Sequence, residues 1–497
     1  MSTANADRQS DEHLRQPWAG RVQTELERLR AQRRPRYEQL WRYYRQAGSS
    51  DRLGAGAAPG PKGGLPVRLR PAAERRLNAT EAPERVIEND IAWRIHGMVD
   101  FMVSRPPTIQ SLVADPRRAD AIERFLHRVI EDNGGQAFFH ALALIGHIYG
   151  FVDTALRVDA EPDRPIAFDL IDAQASLPIT NPNDYTDLLA YGICGDRVSA
   201  HTTQPSWLDR LRNGFCRTPD HLGESTHRIE LLSDDTVQLL EPRRHGGFRV
   251  VASDPNPLGV LPVVHIQNLH QPFAYEGLGE IEPLIGLQDE LNTRLSDRAH
   301  RVTLQSFQMY LAKGIDGFAD RPVAPGQMWT TDNPDASIQA FGGDASSPSE
   351  ESHIREVREA LDKASAISPL VTGQVRDRLG NLSSENALRI VTMGLVARTD
   401  KKRFAYGQGI RRLAGLALRA ADLIGLFPNT PEERRLHIDW PDPMPLGQTD
   451  QLRNAQLKLE LGVPRRRVLA ELGYTAAELS DDTDKLSPST ATEEATR

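Results

Sequence analysis

Few of the 497 residues combine a type and a spacing that chemistry would require. His140 and His147 stand two turns apart on one helical face and are of a type that binds metal. No Cys or carboxylate is supplied at a fixed spacing to complete a ligand set, so they read as core or surface histidines. Asp289, Glu290 and Asp297 offer the oxygens a two-metal nuclease needs. Neighbouring helical positions diverge, however, and Arg294, Arg298 and Arg301 are interleaved to neutralise them, which favours a solvated or intersubunit face. The run Lys401-Lys402-Arg403 on a long helix reads as a solvated face, or as a contact with DNA or an acidic neighbour. Arg376 and Arg378 fall in a polar loop between two helices, where guanidinium groups at a loop tip can touch phosphates and release them. Phosphate loops, H-E-x-x-H, G-x-S-x-G and C-x-x-C are all missing from the text, so neither ATP hydrolysis nor a metal or other cofactor is expected.

The elements around these residues belong to a globular chain. Its composition is 39% hydrophobic and 26% charged, with 37 Gly and 34 Pro, and its length allows roughly three domains' worth of material. A net charge of -8 argues against a tight, sequence-blind grip on nucleic acid, which needs many cationic contacts to phosphate. Two cysteines, Cys194 and Cys216, cannot build a disulfide framework or a four-Cys zinc site. The N-terminus lacks the apolar core of a secretory signal. The most apolar stretch, Ala137 to Val152, falls short of the ~20 residues that span a bilayer, so no membrane association is expected.

Helical periodicity marks Val22 to Tyr44, divided at Pro35, then Val86 to Val103, Asp115 to Asn133 and Gln136 to Tyr149. The period then falls towards two in Val152 to Val158, Ile166 to Ile171, Leu188 to Cys194, His227 to Leu232, Thr236 to Leu240, Phe248 to Ala252 and Val263 to Gln267. An antiparallel β-rich segment beside helices makes the fold class α+β. Gly279 to Gln308 is a helix whose apolar stripe has one polar interruption, Gln288, and Glu350 to Ser365 is a second helix. A long helix follows from about Ser384 to Phe427, with Gly394, Gly407 and Gly409 as expected kinks. A strand, Leu436 to Trp440, and two short helices in Thr449 to Leu479 complete the order.

From Tyr275 the text runs YEGLGEIEPLIGLQDELNTRLSD. A Gly- and Pro-rich excursion, a second helix, Ser365-Ala366-Ile367-Ser368-Pro369 and Gly380-Asn381-Leu382-Ser383-Ser384-Glu385-Asn386 come after it. In this order of parts the chain resembles the portal proteins of tailed double-stranded DNA bacteriophages. The resemblance implies a portal-type ring subunit with a wing at 21–279, a first stem helix at 280–308, a clip at 309–349 and a second stem helix at 350–367. A tunnel loop at 368–384, a long helix and return strand at 385–445 and a crown at 446–479 would follow, with disordered ends at 1–20 and 480–497 and no counterpart for loop 46–71. It implies Arg376, Arg378, Asn381 and Ser383 at the DNA channel. Glu282, Asp289, Glu290, Arg294, Asp297, Arg298, Arg301, Arg355 and Glu359 would lie on the stem and subunit interface.

The implied partners are eleven further copies in a dodecamer, double-stranded DNA in transit, the terminase large subunit, major capsid and scaffold proteins, and a head-completion or adaptor protein. The implied place is one capsid vertex of the virion, after assembly in the host cytoplasm. A metal-dependent nuclease using Asp289, Glu290 and Asp297 is the alternative from another class, and a structural ring or adaptor that does not carry DNA is a third.

Overall fold

The computed structural model describes residues 18–45, 86–158, 164–196, 227–243, 247–306, 309–314, 333–341, 348–367, 385–443 and 448–465, with 468, 469 and 472. The expectations for loop 46–71, for Arg376, Arg378, Asn381 and Ser383, for Cys216, for most of 309–349 and for the tail 480–497 lie outside the described residues.

Helix α1 (Ala19–Arg28) passes through a π turn at Leu29–Arg33 into α2 (Arg34–Arg45). The break expected at Pro35 is replaced by this wider turn just upstream. Proline has no N–H to donate and its ring crowds the carbonyl four residues back. A bond from Arg34 N to Leu29 O accommodates both without ending the helix. Helix α3 (Asp90–Val103) is capped by Asn89, whose side chain accepts from Ala92 N. Strand β1 (Thr108–Ser111) leads to α4 (Pro116–Asp132), which has Asp115 as its cap and proline in its first turn. Helix α5 (Gln136–Tyr149) ends at Gly150, whose φ of 89° is the left-handed conformation that glycine adopts without strain.

Strand β2 (Phe151–Val158) is the centre of a three-stranded antiparallel sheet, between β3 (Ile166–Ile171) and β9 (Val263–Gln267). Five more strands form an antiparallel meander: β4 (Ser176–Asn181), β5 (Asp184–Asp196), β6 (His227–Ser233), β7 (Thr236–Pro242) and β8 (Phe248–Pro255). The alternating runs expected as strands are strands. Strand β4 was not foreseen because Pro178 interrupts it; it lies at the edge of its sheet, where a missing donor is tolerated.

A 3₁₀ turn at Glu282–Leu284 precedes α6 (Ile285–Ser306), and the hairpin β10 (Met309–Lys313) and β11 (Ser337–Phe341) separates it from α7 (Pro348–Ser365). Helix α8 (Glu385–Leu423) runs for 39 residues without a break. The glycines expected as kinks do not interrupt it, and Gly407 and Gly409 admit neighbours. A Cβ on Gly409 would lie 2.3 Å from the Ile266 side chain, and one on Gly407 would lie 3.1 Å from Trp440 Nε1. Strand β12 (Leu436–Asp439) pairs with β1 far upstream, and α9 (Gln448–Glu460) follows. One large core joins α1 to α5, both larger sheets, α6, α7 and α8. No described helix is long and apolar enough to cross a membrane.

Candidate functional site

The helix pair α6 and α7 closes on Leu291, Leu295, Ile354, Val357 and Leu361, all buried. Around that seam the charged residues singled out in the sequence are mostly engaged within the chain. Glu290 accepts from Arg294 at 2.6 Å and faces His353 Nε2 at 3.1 Å, and Asp297 lies 3.5 Å from Arg294. Hydrogen bonds from His353 and Arg294 hold the Glu290 carboxyl below its ordinary range. Arg301 pairs with Glu350 across the two helices. Asp289 accepts from the Tyr43 hydroxyl at 2.9 Å, and Glu282 pairs with Arg36 at 2.7 Å. Glu290 and Asp297 thus share the Arg294 guanidinium, while Asp289 turns to Tyr43. Among the described residues no group of three or more His, Cys, Asp or Glu is placed to hold a metal ion. Arg298 is half-buried, while Arg355 and Glu359 are exposed on α7.

The polar interruption at Gln288 is explained by an extended segment, residues 86–89, lying along α6. Gln288 donates to Glu88 O at 2.7 Å and accepts from Ile91 N at 3.2 Å. Asn292 accepts from Glu88 N at 3.0 Å, and Ser296 accepts from Val86 N at 3.0 Å. These three side chains recur every fourth residue, so one face of the helix satisfies the backbone groups of that segment. Arg94 on α3 completes the attachment by reaching Asp362 at 2.7 Å and the Ser365 hydroxyl at 2.9 Å on α7.

Tyr275 to Glu280, where α6 is approached, is a joint in which nearly every side chain has a partner. The Tyr275 hydroxyl donates to buried Asp153 at 2.8 Å. The same carboxylate accepts from Tyr191 at 2.6 Å and meets His265 Nδ1 at 2.6 Å. Glu276 accepts from Arg36 at 2.7 Å and from the Tyr37 hydroxyl. Gly277 passes so close to α5 that a Cβ there would lie 2.6 Å from Gly150 O and 2.7 Å from Leu269 O.

Glu280, fully buried, meets Lys402 Nζ at 2.6 Å and accepts from Arg398 Nε at 3.1 Å. Burial raises its pKa, but the Lys402 and Arg398 cations outweigh that and hold the carboxyl below its ordinary range. His147 sits on the far side of Lys402 at 2.9 Å. Its Nδ1 lies 2.7 Å from Ala143 O, so Nδ1–H donates there and Nε2 accepts from the ammonium. Burial and the adjacent Lys402 charge push His147 down to about 3, which leaves it neutral. Burial lowers Lys402 as well, against the pull of Glu280.

The basic run therefore divides. Lys401 is exposed, whereas Lys402 belongs to this buried cluster. Arg403 is buried too, donating to Met102 O at 3.0 Å and Pro441 O at 2.7 Å and lying over the Trp440 ring. The expected contact of Lys402 and Arg403 with DNA or a neighbour is corrected: they face inward because successive positions on a helix are 100° apart, and only Lys401 points out. His147 and Asp153 were missed as centres because their partners lie 255 and 112 residues away, and no local pattern announces them.

A family model described as "Phage portal protein, SPP1 Gp6-like" matches residues 208–478. No curated protein matches. Among solved structures, a chain from the virion of a native gene transfer agent particle aligns at 12% identity over 75% of this chain and 85% of its own, with a TM-score of 0.38. A chain from the neck of an empty gene transfer agent particle, computed with C6 symmetry, aligns at 12% identity over 76% of this chain and 90% of its own, with a TM-score of 0.41. The matched residues of the family model include α6, α7, α8 and the joint that ties them together, and they are more than half of the sequence; the chain belongs to the family of phage portal proteins, SPP1 Gp6-like.

Proposed function

We propose that this portal-family chain assembles into a closed ring of about twelve copies at one capsid vertex, forming the channel for double-stranded DNA during packaging and ejection. The observation that carries the reading is the family match across the helix pair, hairpin and long helix. In this reading 21–279 is the wing, 280–308 and 350–367 the stem, 309–349 the clip, 368–384 the tunnel loop and 446–479 the crown. Arg376, Arg378, Asn381 and Ser383 would line the channel. The clip docks the terminase large subunit and later a head-completion or adaptor protein, and the wing meets capsid and scaffold proteins. The motor's chemistry belongs to another polypeptide and this chain performs none. The wiring of α6 and α7 into the wing supports a stem that holds its shape under load, since Arg94, Arg358 and Tyr43 each bridge from one body to the other.

The decisive experiment is the mass of the purified full-length chain by light scattering, with negative-stain images of the same sample and a nuclease assay in Mg²⁺. Rings of about a dozen copies with a central hole and no cleavage are expected. A monomer or dimer that cuts DNA only with Mg²⁺ would overturn the reading in favour of a nuclease.

A further inference from the structure

Helix α9 and the turn after it leave four leucines in solvent: Leu452 is 63% exposed, Leu457 49%, Leu459 42% and Leu461 83%. A single exposed leucine is ordinary on a protein surface, whereas four on so short a helix are an unfilled contact. At about 100° per residue they fall on two separate flanks. Leu452 and Leu459 share one flank, and Leu457 and Leu461 share the other, about 170° around the axis. Leu461 keeps the helical track, because its N–H donates to Leu457 O at 3.0 Å. Between the flanks, one side of the helix turns into the protein at buried Ala455. The opposite side is polar, with exposed Arg453 and with Gln456 donating to Glu460 at 3.2 Å.

A partner docked on one flank leaves the other bare, and the inward side and the polar side keep the two flanks from merging into one face. A row of helices standing side by side covers both at once. Identical chains around a ring supply such a row, because each copy meets its two neighbours head to tail through two different surfaces on opposite sides. The leucines also interleave along the axis. At 1.5 Å per residue, Leu457 lies about 7.5 Å past Leu452 and about 3 Å short of Leu459. In a parallel neighbour at the same level it therefore enters the gap between them, as knobs do between parallel helices. We propose that α9 of each copy packs between the α9 helices of its two neighbours, with Leu457 and Leu461 of one against Leu452 and Leu459 of the next. The contact rests on the ring reading above and names one layer of its interface, in the segment read there as the crown.

The test places cysteines in the full-length chain, oxidises the assembled protein and reads the products on a non-reducing denaturing gel. Mass photometry shows whether rings are present, and wild type accounts for Cys194 and Cys216. Two double variants, Leu457→Cys/Leu459→Cys and Leu459→Cys/Leu461→Cys, carry one thiol on each flank. Thiols two residues apart on a helix do not face each other, so they cannot join within a chain. At least one double variant should give a ladder of dimer, trimer and longer products up to the whole ring. Leu457→Cys or Leu459→Cys alone should give no product beyond that of wild type, and the two mixed one to one should stop at dimers. Dimers from a single variant alone would set a flank against its own copy or another surface and would overturn the contact. Rings whose double variants yield no ladder would overturn it as well, and in both cases the ring reading stands. A double variant that melts like wild type by circular dichroism but forms no rings supports the contact. If both double variants misfold, the mixed single variants decide. If wild type itself forms no rings, the ring reading fails and this contact fails with it.

Discussion

A neutral histidine beside a buried ammonium makes the molecule sensitive to acid at a single residue. The unfolded imidazole takes a proton below about 6.5, whereas His147 in the folded chain resists until about 3. Between those values the unfolded state binds more protons, so stability is fully present above pH 6.5 and is lost as pH falls towards 3. Glu280 acts in the same sense, since its depressed pKa gives stability that fades as it is protonated. Urea denaturation of wild type and His147→Gln from pH 7.5 to 4 should show a shallower decline in the variant, whose amide can still accept from Lys402. Glu280→Gln leaves Lys402 and Arg398 facing a neutral amide inside the protein, and at pH 7 a loss of about 3–5 kcal/mol is expected. His147 and Lys402 were both visible in the sequence as residue types, but their roles were not. A histidine on an apolar helix and a lysine in a basic run acquire their meaning only from each other, across 255 residues.

At the level of the elements, α6 is two helices in one: an apolar stripe towards α7 and a stripe of Gln288, Asn292 and Ser296 towards the segment 86–89. Gln288→Leu removes the partner of Ile91 N and of Glu88 O inside the protein and should lower stability by about 1–3 kcal/mol. Hydrogen exchange should then speed up at Ile91 while the centre of the meander stays protected. Gly277→Ala forces a methyl against two backbone oxygens that belong to separate elements. A loss of about 1–3 kcal/mol in a thermal melt is expected, whereas a neutral result would show that the joint is looser than its geometry. Periodicity revealed the helix and even the odd residue in its stripe. The partner of that residue was hidden because a short extended segment has no period to read. The same limit hid β1, and although the strand at Leu436 to Trp440 was legible, its pairing with β1 was not.

For the whole molecule, the net charge of -8 suits a conduit better than a clamp, because each phosphate neutralised adds affinity and slows passage. In a filter-retention assay at about 0.15 M salt, linear duplex DNA should show no stable complex with the purified chain. Tight retention that falls steeply with added salt would contradict a passive channel. Most of the order of elements was readable because the longer helices and strands announce themselves by period, with β1 and β4 among the strands that this missed. The buried joint was not, because it is made where distant parts of the chain cross.

The position of that joint along α8 has a mechanical consequence. At about 1.5 Å per residue, the helix extends about 26 Å from Lys402 back to Glu385 and about 32 Å onward to Leu423. The buried charges sit near its midpoint, and the arm beyond them is held along its length, with Tyr406, Ile410, Leu413, Ala417, Leu418 and Ala421 buried in the main core. A push on the Glu385 end is therefore taken up at the buried charges and in that packed arm instead of arriving at Leu423 as a swing.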